Sequence, residues 1–321
     1  MKKLFYIDLV RDDLRRVEAL LRERYPGQHE TIGEAVDHLV GGGGKRLRPA
    51  LVLLSAHLCE AELDRAIFAA AAVEMLHMAT LIHDDLIDGA LMRRGTETLN
   101  TRWSPSATVL TGDYVFAYAA YLAARADNVR LMQRFAETLM VICNGEVQQM
   151  FDGRHGQVGC QEYEQRIYAK TASLIAMSTE AGPILAGAEE GAMQALRVYG
   201  EQLGLAFQIV DDVLDFVADE DTLGKPVGSD LRQGLITLPL LFFLQAEPEQ
   251  PVVCQALRGN PSEELVQEAV RAVVGSPAIE QALEVAQRHA GRAKEALNGF
   301  SNSAYRTALL ELTDFTVRRR F

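Results

Sequence analysis

The chain has 321 residues, is 48% hydrophobic and carries a formal net charge of −12. That balance excludes nucleic acid as the main partner and wide contact with an anionic membrane, since both call for a cationic surface. It leaves room for a small anionic ligand held by a few local cations.

At the start, "MKKLFYIDLVRDDLRR" offers an apolar run too short for a secretory signal. No run reads as approaching the roughly eighteen apolar residues of a membrane span. Cys59, Cys143, Cys160 and Cys254 are scattered without a C-x-x-C pair. A cytoplasmic protein with reduced thiols is the expectation. Apolar residues then recur at three- and four-residue spacing over 5–24, 47–60, 64–88, 106–125, 128–151, 161–181, 190–218, 231–246, 262–274, 277–297 and 302–317. Helix formers dominate, and alternating β-branched runs are nearly absent. The Asn-Gly pairs at Asn144 and Asn298 lack such flanks and predict no hairpin.

The breaks are legible. "GGGGKRLRP" (41–49) leads into the 47–60 helix, with Pro49 early in it, where proline is tolerated. "DGRHGQVG" (152–159) and "LGKPVGSD" (223–230) are turn-rich, and Ser229 or Asp230 is placed to cap the next helix. "AEPEQP" (246–251) reads as a surface linker. Nothing marks a domain boundary, so the expectation is one all-α domain over 1–321, a bundle of about ten or more helices.

Two segments echo each other. "IHDDLID" (82–88) and "IVDDVLD" (209–215) share the pattern D-D-x-x-D inside apolar helical stretches. Positions i and i+4 lie on one helix face, so Asp84 projects with Asp88, and Asp211 with Asp215. Paired carboxylates repel unless a cation sits between them, and they are the hard oxygen ligands that Mg²⁺ takes together with water and phosphate. One such motif alone would read as a solvated acidic face. Two in apolar surroundings are costly without a cation. Cations suited to phosphate stand nearby in sequence: Lys45, Arg46 and Arg48 after the four glycines, Arg93 and Arg94 after the first motif, then Lys170 and Lys225. "GGGGK" is not a nucleotide-binding loop, because Leu39 stands where a glycine is needed and Arg46 where a Ser or Thr is needed. Glycines there let backbone and a Lys/Arg pair wrap a diphosphate.

"GGGGKRLRP", "HDDLID…RRG", "GDYVFA", "AKTASL", "FQIVDDVLDF" and "GKPVGSDLRQGLITLPL", in this order and spacing along most of the chain, resemble the trans-isoprenyl diphosphate synthase family, long-chain type. The resemblance implies an isoprenoid synthase fold, long helices around a deep central cavity, in a homodimer. It implies three Mg²⁺ per site, held by Asp84 and Asp88 from one wall and by Asp211 and Asp215 from the other, with Asp85 and Asp212 in the catalytic set. Arg93, Lys170, Gln208 and Lys225 would contact the allylic diphosphate. Lys45, Arg48, His77 and Arg94 match positions that hold isopentenyl diphosphate. The Thr171 hydroxyl and the carbonyls of Lys170 and Gln208 would offer negative dipole to the allylic cation, and the released pyrophosphate would take the proton. His77 on its own would read as a core histidine, but it lies two turns before Asp84 on nearly the same face. His83 has no such support and reads as structural.

In this family, bulky aromatics four or five residues before the first Asp stop the growing tail early. Here Thr80 and Ala79 occupy those positions. The expected product is therefore long, hexaprenyl to decaprenyl, suited to quinone side chains. One position departs from the pattern: Leu235 stands where many relatives carry lysine. Some two-component synthases also lack that lysine, so a catalytic subunit needing a small partner is the second reading. A geranylgeranyl diphosphate synthase is an alternative of the same class. A non-catalytic subunit fits poorly because both acidic motifs are intact, and a terpene cyclase fits poorly because the second-diphosphate motif is kept.

Overall fold

The computed structural model describes residues 5–41, 46–93, 95–152, 159–218, 227–257 and 261–318. Lys45, Arg94 and Lys225 lie outside them. The chain is all-α apart from a short hairpin. In order come α1 (Phe5–Leu9), α2 (Arg11–Leu21), α3 (Glu30–Gly41), α4 (Leu47–Leu58) and α5 (Leu63–Ile87). The hairpin β1 (Met92–Arg93) and β2 (Thr96–Glu97) is followed by α6 (Leu99–Arg102), α7 (Pro105–Arg125), α8 (Val129–Asp152) and α9 (Cys160–Ile167). A π-turn, Tyr168–Ala172, leads into α10 (Ser173–Leu185) and α11 (Glu190–Val217). Then follow α12 (Ser229–Arg232), α13 (Leu238–Ala246), α14 (Pro251–Ala256), α15 (Glu263–Val274), α16 (Ala278–Ala296) and α17 (Ala304–Arg318).

The chain divides into two compact units: Met1–Thr138 with Leu174–Arg197 and Leu297–Glu311, and Leu139–Ser173 with Val198–Ala296 and Leu312–Phe321. In the first unit α5 is the central helix, packed chiefly on α7 and α4 and also on α2. Its run Ala69–Val73 is buried throughout, and small side chains let neighbouring helices approach closely. A Cβ on Gly182 would strike the backbone of Ser55 and Ala56, so glycine is what admits α10 against α4. By length and apolar composition α5 would pass for a membrane span, contrary to the sequence expectation; Glu74 and His77 interrupt the run without lowering its mean hydropathy enough. Its apolar window is 72% buried within the fold, as befits a core helix.

The second unit holds two apolar clusters. One gathers Tyr163, Ile167, Ala172, Leu205, Ile209, Val213 and the inner faces of α13 and α16. The other joins Phe216 and Leu231 to the inner faces of α13, α14 and α15.

Besides the added hairpin, α6 and α14 and the split between α1 and α2, three differences from the sequence reading stand out. The helix α3 was not expected, because Gly33 and a short apolar stripe (Ala35, Val36, Val40) weaken its periodic signal. The predicted 231–246 helix is broken between Arg232 and Leu238, where Gly234 takes a left-handed φ of 72°. The cap before α12 is neither Ser229 nor Asp230 but Gly228, also left-handed at φ 72°.

Candidate active site

The first unit carries the first acidic motif at the C-terminal end of α5. Asp88 is the helix cap, and its N–H donates to the Asp84 carbonyl at 2.8 Å, so the two carboxylates stand one turn apart. Asp84 is half-buried and Asp88 exposed. The middle residue, Asp85, is buried and accepts from Arg93 Nε at 2.7 Å. Burial raises the Asp85 pKa above the usual carboxylate value, and the Arg93 charge opposes that rise. Binding through Nε leaves the two terminal nitrogens of the Arg93 fork to aim elsewhere.

The hairpin that brings Arg93 back is fastened to the helix end. Ala90 N–H donates to the Asp85 carbonyl at 2.9 Å, and the Ala90 carbonyl accepts from Thr98 Oγ1 at 2.6 Å and Asn100 Nδ2 at 3.0 Å. Gly89 and Gly95 take the left-handed backbone that the two reversals require. The His38 ring meets the Glu97 carbonyl at 2.8 Å and ties α3 to β2.

Further back on the same unit, His77, Thr80 and Arg48 are half-buried. Thr80 Oγ1 donates to the His77 carbonyl at 2.8 Å, which fixes its rotamer. Ala79 is 0% exposed. His83 packs on Phe116 and sits over Gly112, where any Cβ would strike its ring, in keeping with a structural role. Arg46, at the start of α4, has a left-handed φ of 46° and donates to Glu74, Glu18 and the Val40 carbonyl at 2.9, 3.2 and 2.7 Å.

The second unit carries the other motif on α11. Gln208 Nε2 donates to Asp212 Oδ1 at 2.8 Å, the Tyr163 hydroxyl donates to Asp212 Oδ2 at 2.6 Å, and Thr171 Oγ1 donates to Gln208 Oε1 at 2.7 Å. Asp212 is fully buried, and desolvation, with the Asp230 charge adding to it, pushes its pKa up to about 7. Asp211 is half-buried on the same helix. Asp215 is 0% exposed; its Oδ2 accepts from the Asp230 N–H at 3.0 Å and its carbonyl from the Gly228 N–H at 2.8 Å, so it anchors the start of α12.

Lys170 and Thr171 sit in the π-turn, a geometry that displaces side chains from the ordinary helical register. Two glycines cradle it: a Cβ on Gly145 would overlap Ala169, and one on Gly204 would overlap Ala172. Lys170 Nζ pairs with Glu146 at 3.2 Å. Leu235 is half-buried, with its N–H on the Asp230 carbonyl at 2.9 Å.

Each motif therefore gathers its own half of the predicted set. Asp84, Asp85, Asp88 and Arg93 cluster in the first unit. Thr171, Gln208 and Asp212 form one hydrogen-bonded chain in the second, with Lys170 beside Thr171 in the π-turn. The motif reading missed Tyr163 and Glu146, and it grouped Arg46 with the phosphate-binding cations where the structure engages it with Glu74 and Glu18. Arg46 was legible as a third cation of "GGGGKRLRP"; Glu146 and Tyr163 carry only their polar groups inside helical patterns, which is a weak signal. The outer donors are all carboxylate oxygens, which suits a hard divalent ion. Among the described residues no three His, Cys, Asp or Glu side chains form a ready cage, so such an ion would complete its shell with water and ligand oxygens.

The sequence profile of the Polyprenyl synthetase family matches residues 29–273. The chain belongs to that family and is a trans-prenyltransferase. Heptaprenyl diphosphate synthase component 2 of Geobacillus stearothermophilus is 36% identical over 100% of both chains. Among solved structures, a polyprenyl synthase from Caulobacter crescentus complexed with calcium and isoprenyl diphosphate is 37% identical, with a TM-score of 0.94 over 99% of this chain and 98% of that one. A decaprenyl diphosphate synthase from Rhodobacter capsulatus is 34% identical, with a TM-score of 0.91 over 97% of each. The fold is thus the all-α isoprenoid synthase fold.

Proposed function

We propose that the chain condenses isopentenyl diphosphate with an allylic diphosphate, farnesyl or geranylgeranyl, in successive all-trans additions that end at hexaprenyl to decaprenyl diphosphate. One observation carries this reading: Asp84, Asp88 and Asp211 keep solvent exposure, while Asp85 and Asp212 are engaged by protein donors. Exposed outer carboxylates are available to metal, and engaged inner ones hold neighbouring groups in place. Mg²⁺, three ions per site, would draw charge onto the departing pyrophosphate when bound.

The chain's own residues supply the rest. Arg93 and Lys170, with Lys225 and Arg94 from outside the described residues, bind and orient diphosphate. Lys45, Arg48 and His77 receive isopentenyl diphosphate. The Thr171 oxygen and the Gln208 and Lys170 carbonyls face the developing allylic cation. Asp215 acts less as a metal ligand than as the anchor of α12. Small side chains at Ala79 and Thr80 support a long product, with quinone side chains as its destination. Incubation with farnesyl diphosphate, labelled isopentenyl diphosphate and Mg²⁺, followed by product sizing, tests the reading; Asp84→Ala should abolish turnover.

The whole chain, 1–321, acts as one cytoplasmic catalytic domain in this proposal, without nucleic acid or a membrane as partner. A homodimer is supported by exposed apolar side chains along α7 (Val109, Leu110, Tyr121) and along α8 (Met140, Val147, Phe151). Full-length similarity to a protein named as component 2 favours one further reading, that a small partner subunit is needed. Turnover by the pure chain alone would remove that reading. Domination of the product by geranylgeranyl diphosphate would favour the shorter-chain alternative.

A further inference from the structure

Tyr163 belongs to none of the motifs. It lies on α9, seven residues before Lys170, in the stretch "QEYEQRIYAKT". Its side chain is 2% exposed and packs with Ile167, Leu205, Ile209 and Val213. The Arg166 guanidinium lies over its ring at 5.5 Å, and its hydroxyl donates to Asp212 Oδ2 at 2.6 Å.

The polarity of the chain of bonds follows from what each group can do. Each Asp212 oxygen accepts one bond, Oδ2 from the Tyr163 hydroxyl and Oδ1 from Gln208 Nε2. That fixes the Gln208 amide with nitrogen toward Asp212 and oxygen toward Thr171. Thr171 must then donate to Gln208, and its single proton is committed there. What the hydroxyl has left is lone pairs. Without the Tyr163 hydroxyl, one oxygen of a buried carboxylate loses its donor, a costly state. Rotation of the carboxylate relieves it and releases the amide. A flipped amide would turn N–H groups toward Thr171, and the threonine would present its proton outward instead.

We propose that Tyr163 is a positioning residue for prenyl transfer: acting through Asp212 and Gln208, it holds the Thr171 hydroxyl with its lone pairs toward the allylic cation. The inference rests on the prenyl-transfer reading above.

The test is a double-mutant cycle on the full chain, assayed with farnesyl diphosphate, labelled isopentenyl diphosphate and Mg²⁺. Tyr163→Phe keeps the ring and removes the donor. We expect kcat to fall about tenfold, less than the ~100-fold typical of losing a direct contact to developing charge. The KM of either diphosphate should stay within about twofold, because ground-state binding is untouched. Thr171→Val should lower kcat by itself, and adding Tyr163→Phe should lower it no further. Site-specific 3-fluorotyrosine at 163, which keeps an O–H donor, should restore kcat. If Tyr163→Phe does not fold by circular dichroism, Asp212→Leu takes its place in the cycle, since it removes the acceptor that joins Tyr163 to Gln208. Losses that multiply, an unchanged kcat, or a change confined to KM would overturn the proposal. With an active wild-type chain those results remove only the role of Tyr163. A wild-type chain that stays inactive even when a small partner subunit is supplied overturns the prenyl-transfer reading as well.

Discussion

The two D-D-x-x-D motifs have the same spelling and different physical lives. The first ends α5, so its last aspartate is a helix cap open to solvent, and its middle one is matched by Arg93 from the hairpin. The second lies within α11, where its middle aspartate is held by Tyr163 and Gln208 and its last is buried under the start of α12. Spacing alone places carboxylates one turn apart. Whether a helix ends there or continues decides which of them reach solvent. Under the proposed function the more accessible outer aspartates, Asp84, Asp88 and Asp211, serve metal, the middle ones hold substrate-binding groups in place, and Asp215 anchors backbone.

The largest expected effect breaks the comparison at its outer positions. Asp84→Ala or Asp88→Ala should lower kcat by about 10³-fold or more, since metal-borne charge stabilisation is lost. Asp88→Ala should leave stability within about 0.5 kcal/mol, as for ordinary surface sites. Asp215→Ala should behave in the opposite sense, losing about 1–3 kcal/mol of stability because the Asp230 N–H loses its side-chain acceptor. Chemical denaturation and steady-state kinetics of the three variants check this; an Asp88→Ala chain as destabilised as Asp215→Ala would erase the distinction.

A smaller effect is expected at the middle position of the first motif. Asp85→Asn should raise the KM for the allylic diphosphate about tenfold, because Arg93 loses a charge-assisted anchor. A change in the KM for isopentenyl diphosphate alone would contradict that role.

The middle position of the second motif gives a pH signature in the metal-free protein. The Asp212 pKa is about 7 when folded, above the unfolded value near 4. The folded state therefore binds the proton more tightly. Stability is fully present at low pH and is lost as pH rises from about 4 through 7. Asp212→Asn, which cannot ionise, should melt higher than wild type at pH 8, with the gap closing toward pH 4. A gap that widens as pH falls would reverse the sign and refute the account.

Much of this was legible in the letters. Apolar spacing located α5, α7, α8 and α11, and the doubled motif with its flanking cations supplied the candidate site. What the letters left out depends on contacts between distant residues. The π-turn needs Gly145 and Gly204 on two other helices. The link from Tyr163 to Asp212 spans forty-nine positions. Asp215 is held by the N–H groups of Gly228 and Asp230, beyond its own helix. Spacing rules see one helix at a time and miss all three.

The smallest expected effect concerns the tail. Ala79 is enclosed and Thr80 half-open, so Thr80→Phe should shorten the product by one or two isoprene units with little change in kcat. Ala79→Phe should shorten it too, with some loss of stability from overpacking, about 1–3 kcal/mol. An unchanged product from both would remove these positions as length determinants.

The most direct measurement is product sizing. The purified full chain is incubated with farnesyl diphosphate, excess labelled isopentenyl diphosphate and Mg²⁺, and the dephosphorylated products are separated by chain length. The account predicts label in hexaprenyl to decaprenyl chains. Label confined to geranylgeranyl or shorter chains, or no transfer of label even when a small partner subunit is supplied, would contradict it.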